Sequence, residues 1–172
     1  NISVTYSYLG KYKEALSFSK KALTVREKMA EPNYWSLANN YHNISSIYQA
    51  VGQYKEALLF SKKSIELLET LDTSSSILAI AYNGIAGIYS NLGEYEKALD
   101  YGKKALSISL EKNDNQLLLA MTYSDLGVDY NKLGNYNKAL DLNKKSLKIL
   151  EEKLAPDHIE LATAYNNIAS TF

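Results

Sequence analysis

The sequence predicts an all-α solenoid of stacked antiparallel helix pairs, and three observations carry that prediction. The first is a repeated phrase. Leu9-Gly10-Lys11-Tyr12-Lys13-Glu14-Ala15-Leu16 returns as Val51-Gly52-Gln53-Tyr54-Lys55-Glu56-Ala57-Leu58, as Leu92-Gly93-Glu94-Tyr95-Glu96-Lys97-Ala98-Leu99, and as Leu133-Gly134-Asn135-Tyr136-Asn137-Lys138-Ala139-Leu140. Its glycines stand 42, 41 and 41 residues apart (52−10, 93−52 and 134−93). At such a period each unit buries its apolar face only against its neighbours. The second observation is helical spacing of apolar residues on both sides of each glycine. The third is that no strand-like alternation and no low-complexity linker interrupts the pattern.

Each element follows from local signals. A helical stub is predicted over residues 2–9, because residues 1–6 align with Asn43-Ile44-Ser45-Ser46-Ile47-Tyr48 inside a later helix. The phrase after Gly10 opens a helix over 12–29. The next helix, 35–50, carries Leu37, Tyr41, Ile44 and Tyr48 in steps of four, three and four, with Ala38 and Ser45 on the same side. Gly52 closes it, since glycine takes the left-handed conformation at no steric cost. The helix 54–71 then carries Tyr54, Ala57, Leu58, Ile65 and Leu68. Small residues at 57, 61 and 64 let its backbone approach the preceding helix. Glu56 in its first turn suits the positive helix N-terminus.

The remaining helices repeat the plan over 76–91, 95–112, 116–132, 136–153 and 158–171. Tyr82, Ile85 and Tyr89 take the places of Tyr41, Ile44 and Tyr48. So do Tyr123, Leu126 and Tyr130, and then Tyr165, Ile168 and Phe172. Capping residues precede these first helices: Asn33, Ser74 to Ser76, Asp114 or Asn115, and Asp157 with Glu160 three residues on. Pro32 and Pro156 stop the preceding helices. Residues 1–172 are expected to form a single array of about four repeats, cut within a helix at both ends.

These residues resemble the tetratricopeptide repeat family over the whole chain. Gly10, Gly52, Gly93 and Gly134, the tyrosines two positions on, and Ala15, Ala57, Ala98 and Ala139 carry the resemblance. The period is longer than the common 34 residues, and Tyr41, Tyr82, Tyr123 and Tyr165 replace the usual tryptophan. The long period and the run Leu161-Ala162-Thr163-Ala164-Tyr165-Asn166-Asn167-Ile168-Ala169 look like the kinesin-light-chain type of repeat. The resemblance implies a right-handed superhelix whose first helices line a concave groove and whose second helices form the convex back. It implies a scaffold that binds a protein or peptide; the sequence itself shows no nucleophile, base or metal constellation and no phosphate-binding glycine loop, so no enzymatic activity and no cofactor are expected.

Beside each buried stripe on the first helices runs a polar one, rotated by about 100°. It reads Asn39, His42, Asn43, Ser46 and Gln49 in the second unit, and Ile80, Asn83, Gly84, Gly87, Ser90 and Asn91 in the third. It continues as Met121, Ser124, Asp125, Val128, Asn131 and Lys132, and ends as Thr163, Asn166, Asn167 and Ser170. The candidate binding residues are Asn39, His42, Asn43, Ser46, Asn83, Ser124, Asp125, Asn131, Asn166 and Asn167. Their carboxamides and hydroxyls suit the main chain of an extended peptide; the competing reading is that they solvate an inner face or bond within the array. Some family members clamp a terminal carboxylate with paired Lys and Asn. The matching places here hold His42 with Ser46, Asn83 with Gly87 and Ser124 with Val128, so that clamp is not expected. The kinesin-light-chain type carries Asn where Asn43 and Asn167 stand; Gly84 and Asp125 break that run.

Composition narrows the partner. Nineteen basic and nineteen acidic residues cancel, which argues against nucleic acid. The paired lysines ten residues after each glycine (20–21, 62–63, 103–104, 144–145) are read as a solvated convex face balanced by nearby glutamates. There is no cysteine, so disulfides and thiolate metal sites are excluded and a cytoplasmic setting is expected. No apolar run approaches the ~20 residues that span a bilayer. Two histidines, His42 and His158, offer little for a base or a metal. Three roles remain open: a peptide-binding groove, a regulatory segment of a larger protein with a catalytic domain elsewhere, and a self-association segment. Apolar stripes at the two ends (Ile2, Tyr6 and Leu9; Leu161, Tyr165, Ile168 and Phe172) predict end-to-end association.

Overall fold

In the computed structural model, residues 2–31, 33–71 and 75–171 are described. They contain nine helices and no strand: α1 (Ile2–Tyr8), α2 (Tyr12–Glu27), α3 (Tyr34–Ala50), α4 (Tyr54–Leu71), α5 (Ser76–Asn91), α6 (Tyr95–Lys112), α7 (Gln116–Lys132), α8 (Tyr136–Lys153) and α9 (Ile159–Ala169). Pro32, Ser74 and Phe172, each given a role from the sequence, lie outside the described residues, as does Asn1. The chain forms two compact units, residues 1–73 and 74–172. The predicted bounds hold within two residues. α2 stops early because its last turn tightens: Lys28 N–H donates to the Val25 carbonyl (3.2 Å) and Met29 N–H to that of Arg26 (3.4 Å).

In the first unit, α1 packs on α2, α2 on α3 and α3 on α4. Gly52 has φ +74°. Its N–H donates to the Gln49 carbonyl (3.0 Å), while Gln53 N–H donates to that of Tyr48 (2.9 Å). This pair of bonds satisfies the last carbonyls of α3 and turns the chain directly into α4. Buried serines then tie helix to helix. Ser45 Oγ donates to the Ala57 carbonyl, Ser3 Oγ to that of Ala15, and Ser64 Oγ to that of Ala38, each at 2.8 Å. The small side chains thus do more than allow close approach; they use it. Asn40, which carries no signal in the sequence pattern, locks α2 to α3. Its Nδ2 donates to the Ser19 carbonyl (2.9 Å) and its Oδ1 accepts from Arg26 (2.7 Å).

In the second unit, α5 to α8 repeat these contacts and α9 packs on α8. Gly93 and Gly134 take φ +75° and +74°, and the N–H groups of Glu94 and Asn135 reach the Tyr89 and Tyr130 carbonyls. Ser146 Oγ donates to the Ala120 carbonyl at 2.8 Å, as Ser64 does in its own repeat. The caps fall on Ser75 and Asn115, whose side chains accept from the N–H groups of Leu78 and Leu118. Asp114 instead accepts from the Ser76 hydroxyl (2.8 and 2.9 Å). The capping box expected of Asp157 and Glu160 is not formed. His158 is the cap, its Nδ1 accepting from Glu160 N–H at 3.3 Å, and the Glu160 carboxylate takes no part in the helix start.

The core is made by the predicted stripes. Ile44 and Leu68 in one unit, and Leu78, Ile85 and Ile88 in the other, are fully buried. Leu161, expected on an exposed terminal stripe, is instead buried with Ala120, Leu150 and Ala164. Ile2 and Leu9 do lie open, and Tyr165 is half open. No helix among the described residues is long and apolar enough to cross a membrane.

Candidate functional site

The predicted polar stripe lies on the first helices, α3, α5, α7 and α9, and its residues fall into two kinds. Some spend their polar groups within the array. Asn83 Nδ2 donates to Thr122 Oγ1 (2.6 Å), linking α5 to α7. Asn167 Nδ2 donates to Ser124 Oγ (3.0 Å), and Asn131 Nδ2 to the carbonyl and hydroxyl of Ser170 (3.2 and 3.3 Å), linking α7 to α9. Ser46 Oγ donates back to the His42 carbonyl (3.1 Å). His42 is half-buried, and burial lowers its pKa, so the imidazole is neutral at pH 7. Others are open. Asn39 and Asn166 are exposed, without a side-chain hydrogen bond among the described residues.

Two hollows open along this stripe, one in each unit. In the first unit, Ser3, Ser7 and Tyr8 of α1 face Asn43, Ser46 and Ile47 of α3 around a hollow of ≈ 190 Å³. In the second, Met121, Ser124 and Asp125 of α7 face Glu160, Thr163 and Ala164 of α9, over a floor of Ser146 and Leu150 from α8; this hollow holds ≈ 150 Å³. Both are formed by successive first helices, the first near the glycine turn that ends them and the second nearer their N-terminal ends. The capping-box spacing assigns Glu160 to a helix start and so conceals its place on this wall. Among the described residues no group of three or more His, Asp or Glu side chains is arranged to hold a metal.

Asp125 and Asp129, one turn apart on α7, give this unit an unusual electrostatic character. Desolvation of the carboxyl, and then the charge of Asp129, push Asp125 up to about 6, although the residue as a whole is exposed. Asp129 is only 2% exposed, and burial pushes it up to about 6 against the pull of a 2.6 Å hydrogen bond from Ser90 Oγ. In the two preceding repeats that place is filled by Ile47 and Ile88, both buried. Column-by-column comparison of the repeats was the available signal for Asp129.

The lysine pairs on the second helices are engaged with the fold. Lys63 Nζ lies over the Tyr41 ring, Lys104 over Tyr82 and Lys145 over Tyr123, at 5.5, 5.3 and 6.0 Å from the ring centres. Lys145 also pairs with Asp141 (2.7 Å). The second lysine of three pairs therefore caps the tyrosine of its own repeat, a contact worth about 0.5–1 kcal/mol when exposed.

Comparison with known proteins agrees with the fold. The tetratricopeptide repeat family model matches residues 1–70, 77–152 and 118–172. No curated protein matches the sequence. Among solved structures, BtubC (BKLC) from P. vanneervenii is similar over 98% of this chain and 68% of its own, with TM-score 0.87 and 20% identity. The nearly identical TPR-like repeats of a kinesin-light-chain-type protein from Podosopora anserina are similar over 99% of this chain and 82% of theirs, with TM-score 0.81 and 18% identity. The apo form of RapI is similar over 98% of this chain but 45% of its own, with TM-score 0.81 and 20% identity. At these identities the likeness is one of fold.

Proposed function

We propose that this chain, which belongs to the tetratricopeptide repeat family, is a non-catalytic scaffold that takes a peptide or protein partner on the polar face of its first helices. The observation that supports this reading most is the pairing of the polar stripe with hollows. Asn43 and Ser46 border one, Ser124 and Asp125 the other, and each is of a size for a single side chain. Drug-sized ligands need about 300–1,000 Å³, so side chains of a longer partner are the better fit. Zero net charge and the tyrosine-capped lysines favour protein over nucleic acid. A cysteine-free chain accords with a cytoplasmic setting.

Peptides selected from a random displayed library on the folded chain test the proposal. Binding should fall at least about tenfold when Asn43 or Asn166 is replaced by Leu, a loss of ~1.4 kcal/mol. It should be unchanged when Lys62 or Lys144 is replaced by Glu. The reverse pattern overturns the proposal. Self-association is a second reading, supported by the exposure of Ile2 (61%), Leu9 (65%) and Tyr165 (52%). Light scattering that rises with concentration, and is abolished by Ile2→Ser with Leu9→Ser, is its expected signature; a strict monomer refutes it.

A further inference from the structure

The hollow between α7 and α9 differs in kind from the one between α1 and α3. The α1–α3 hollow is lined by neutral polar groups, Ser3, Ser7, Asn43 and Ser46, whereas this one presents Asp125 on its α7 wall, at the place that Asn43 holds in an earlier repeat. Glu160 adds a second carboxylate from the opposite wall. Neither carboxylate has an ion-pair or hydrogen-bond partner among the described residues. No lysine, arginine or histidine lines the hollow. Of the hydroxyls that line it, Ser146 Oγ donates to the Ala120 carbonyl and Thr163 Oγ1 to that of Ile159, while Ser124 Oγ accepts from Asn167; all three are neutral. They cannot serve as the counter-charge. Between the carboxylates the surface is apolar, from Met121, Leu150 and Ala164.

A surface of this make-up complements one kind of group. An aliphatic stem packs against methyl and methylene groups while a cationic head meets carboxylates at the rim, which is how lysine and arginine side chains divide themselves between apolar and polar surroundings. We propose that the α7–α9 hollow receives a lysine or arginine side chain of the bound partner, with Asp125 and Glu160 as its carboxylate contacts. This rests on the scaffold reading and adds the chemistry of one anchor. Arginine suits it best, since its planar fork of donors matches the geometry of a carboxylate. The incoming cation also offsets the charge that Asp125 shares with the buried Asp129, a turn away.

Amide NMR of the intact chain tests the anchor apart from the scaffold reading. The probes are blocked arginine (N-acetyl-arginine amide) and its neutral isostere, N-acetyl-citrulline amide. Arginine should shift the amides of Ser124, Asp125, Glu160 and Thr163 and bind at least about tenfold tighter than citrulline. Asp125→Asn with Glu160→Gln should erase that preference while leaving the remaining spectrum folded. Equal binding of the two probes, shifts elsewhere on the chain, or an arginine preference that survives the double substitution would overturn the proposal. Library peptides separate the two claims. Peptides that bind the first-helix face without any basic residue would sink the anchor and leave the scaffold. Peptides confined to the second helices would sink the scaffold, with the probe titration still deciding the anchor.

Discussion

Replacing Gly127 by Ala should destabilise the fold by about 1–3 kcal/mol, although alanine is intrinsically the better helix residue by about 1 kcal/mol. The reason is steric. A Cβ on Gly127 would stand 2.2 Å from Asn143 Oδ1 and 2.8 Å from its Cγ. Asn143 cannot retreat freely: it is 2% exposed, and its Nδ2 donates to the Asn167 carbonyl at 3.3 Å. The same register in the earlier repeats shows the logic. Ser3 and Ser19 meet there with their hydroxyls bonded, and Ser45 and Ser61, then Ala86 and Gly102, occupy it in turn. At Asn143 the second helix became larger and the first helix gave up its side chain. Gly127→Ala combined with Asn143→Ser restores the small–small arrangement. That double variant should recover the loss and exceed the parent, because the buried Asn143 Oδ1 has no hydrogen-bond partner among the described residues and its removal relieves a desolvation penalty. Urea denaturation of the parent, both single variants and the double variant checks this. Additive effects would contradict the steric account.

Asp129→Asn should stabilise the protein at pH 7 by the order of 2 kcal/mol, and the gain should vanish near pH 4. The folded-state pKa, pushed up to about 6 by burial, lies above the unfolded value of 3.8. Between those values the folded state holds the proton that the unfolded state has lost, so stability falls as pH rises through this window. At pH 7 the folded protein carries a buried carboxylate with one hydrogen bond from Ser90. A tenfold difference in proton affinity between the folded and unfolded states corresponds to about 1.4 kcal/mol, which sets the size of the expected gain. Asparagine keeps the volume and can still accept from Ser90. Denaturation midpoints at pH 7 and pH 4 read the effect. A constant difference between parent and variant at both values would contradict it.

The elements were legible because they depend on spacing. Four glycines and a stripe of tyrosines placed each helix within two residues, since the turn at Gly52 or Gly93 is local and its geometry is forced by a positive φ. The polar face was legible as a face but not in its internal bonding. Asn83 and Asn166 occupy equivalent places beside the buried stripe, yet Asn83 reaches Thr122 and Asn166 reaches nothing among the described residues. The difference depends on the following first helix: α7 offers Thr122 to Asn83, whereas no first helix follows α9 among the described residues. Glu160 was hidden for a related reason. The spacing of a capping box was present, but His158 reached the helix start first.

The central claim is that partners dock on the first-helix face, and an amide NMR footprint of a library-selected peptide tests it most directly. The account predicts shifts clustered on Asn43 and Ser46 of α3 or on Ser124, Asp125 and Asn166 of α7 and α9, with the α2, α4, α6 and α8 lysine pairs unmoved. A footprint centred on Lys62 and Lys63, or on Lys103 and Lys104, with the first helices silent, would contradict it.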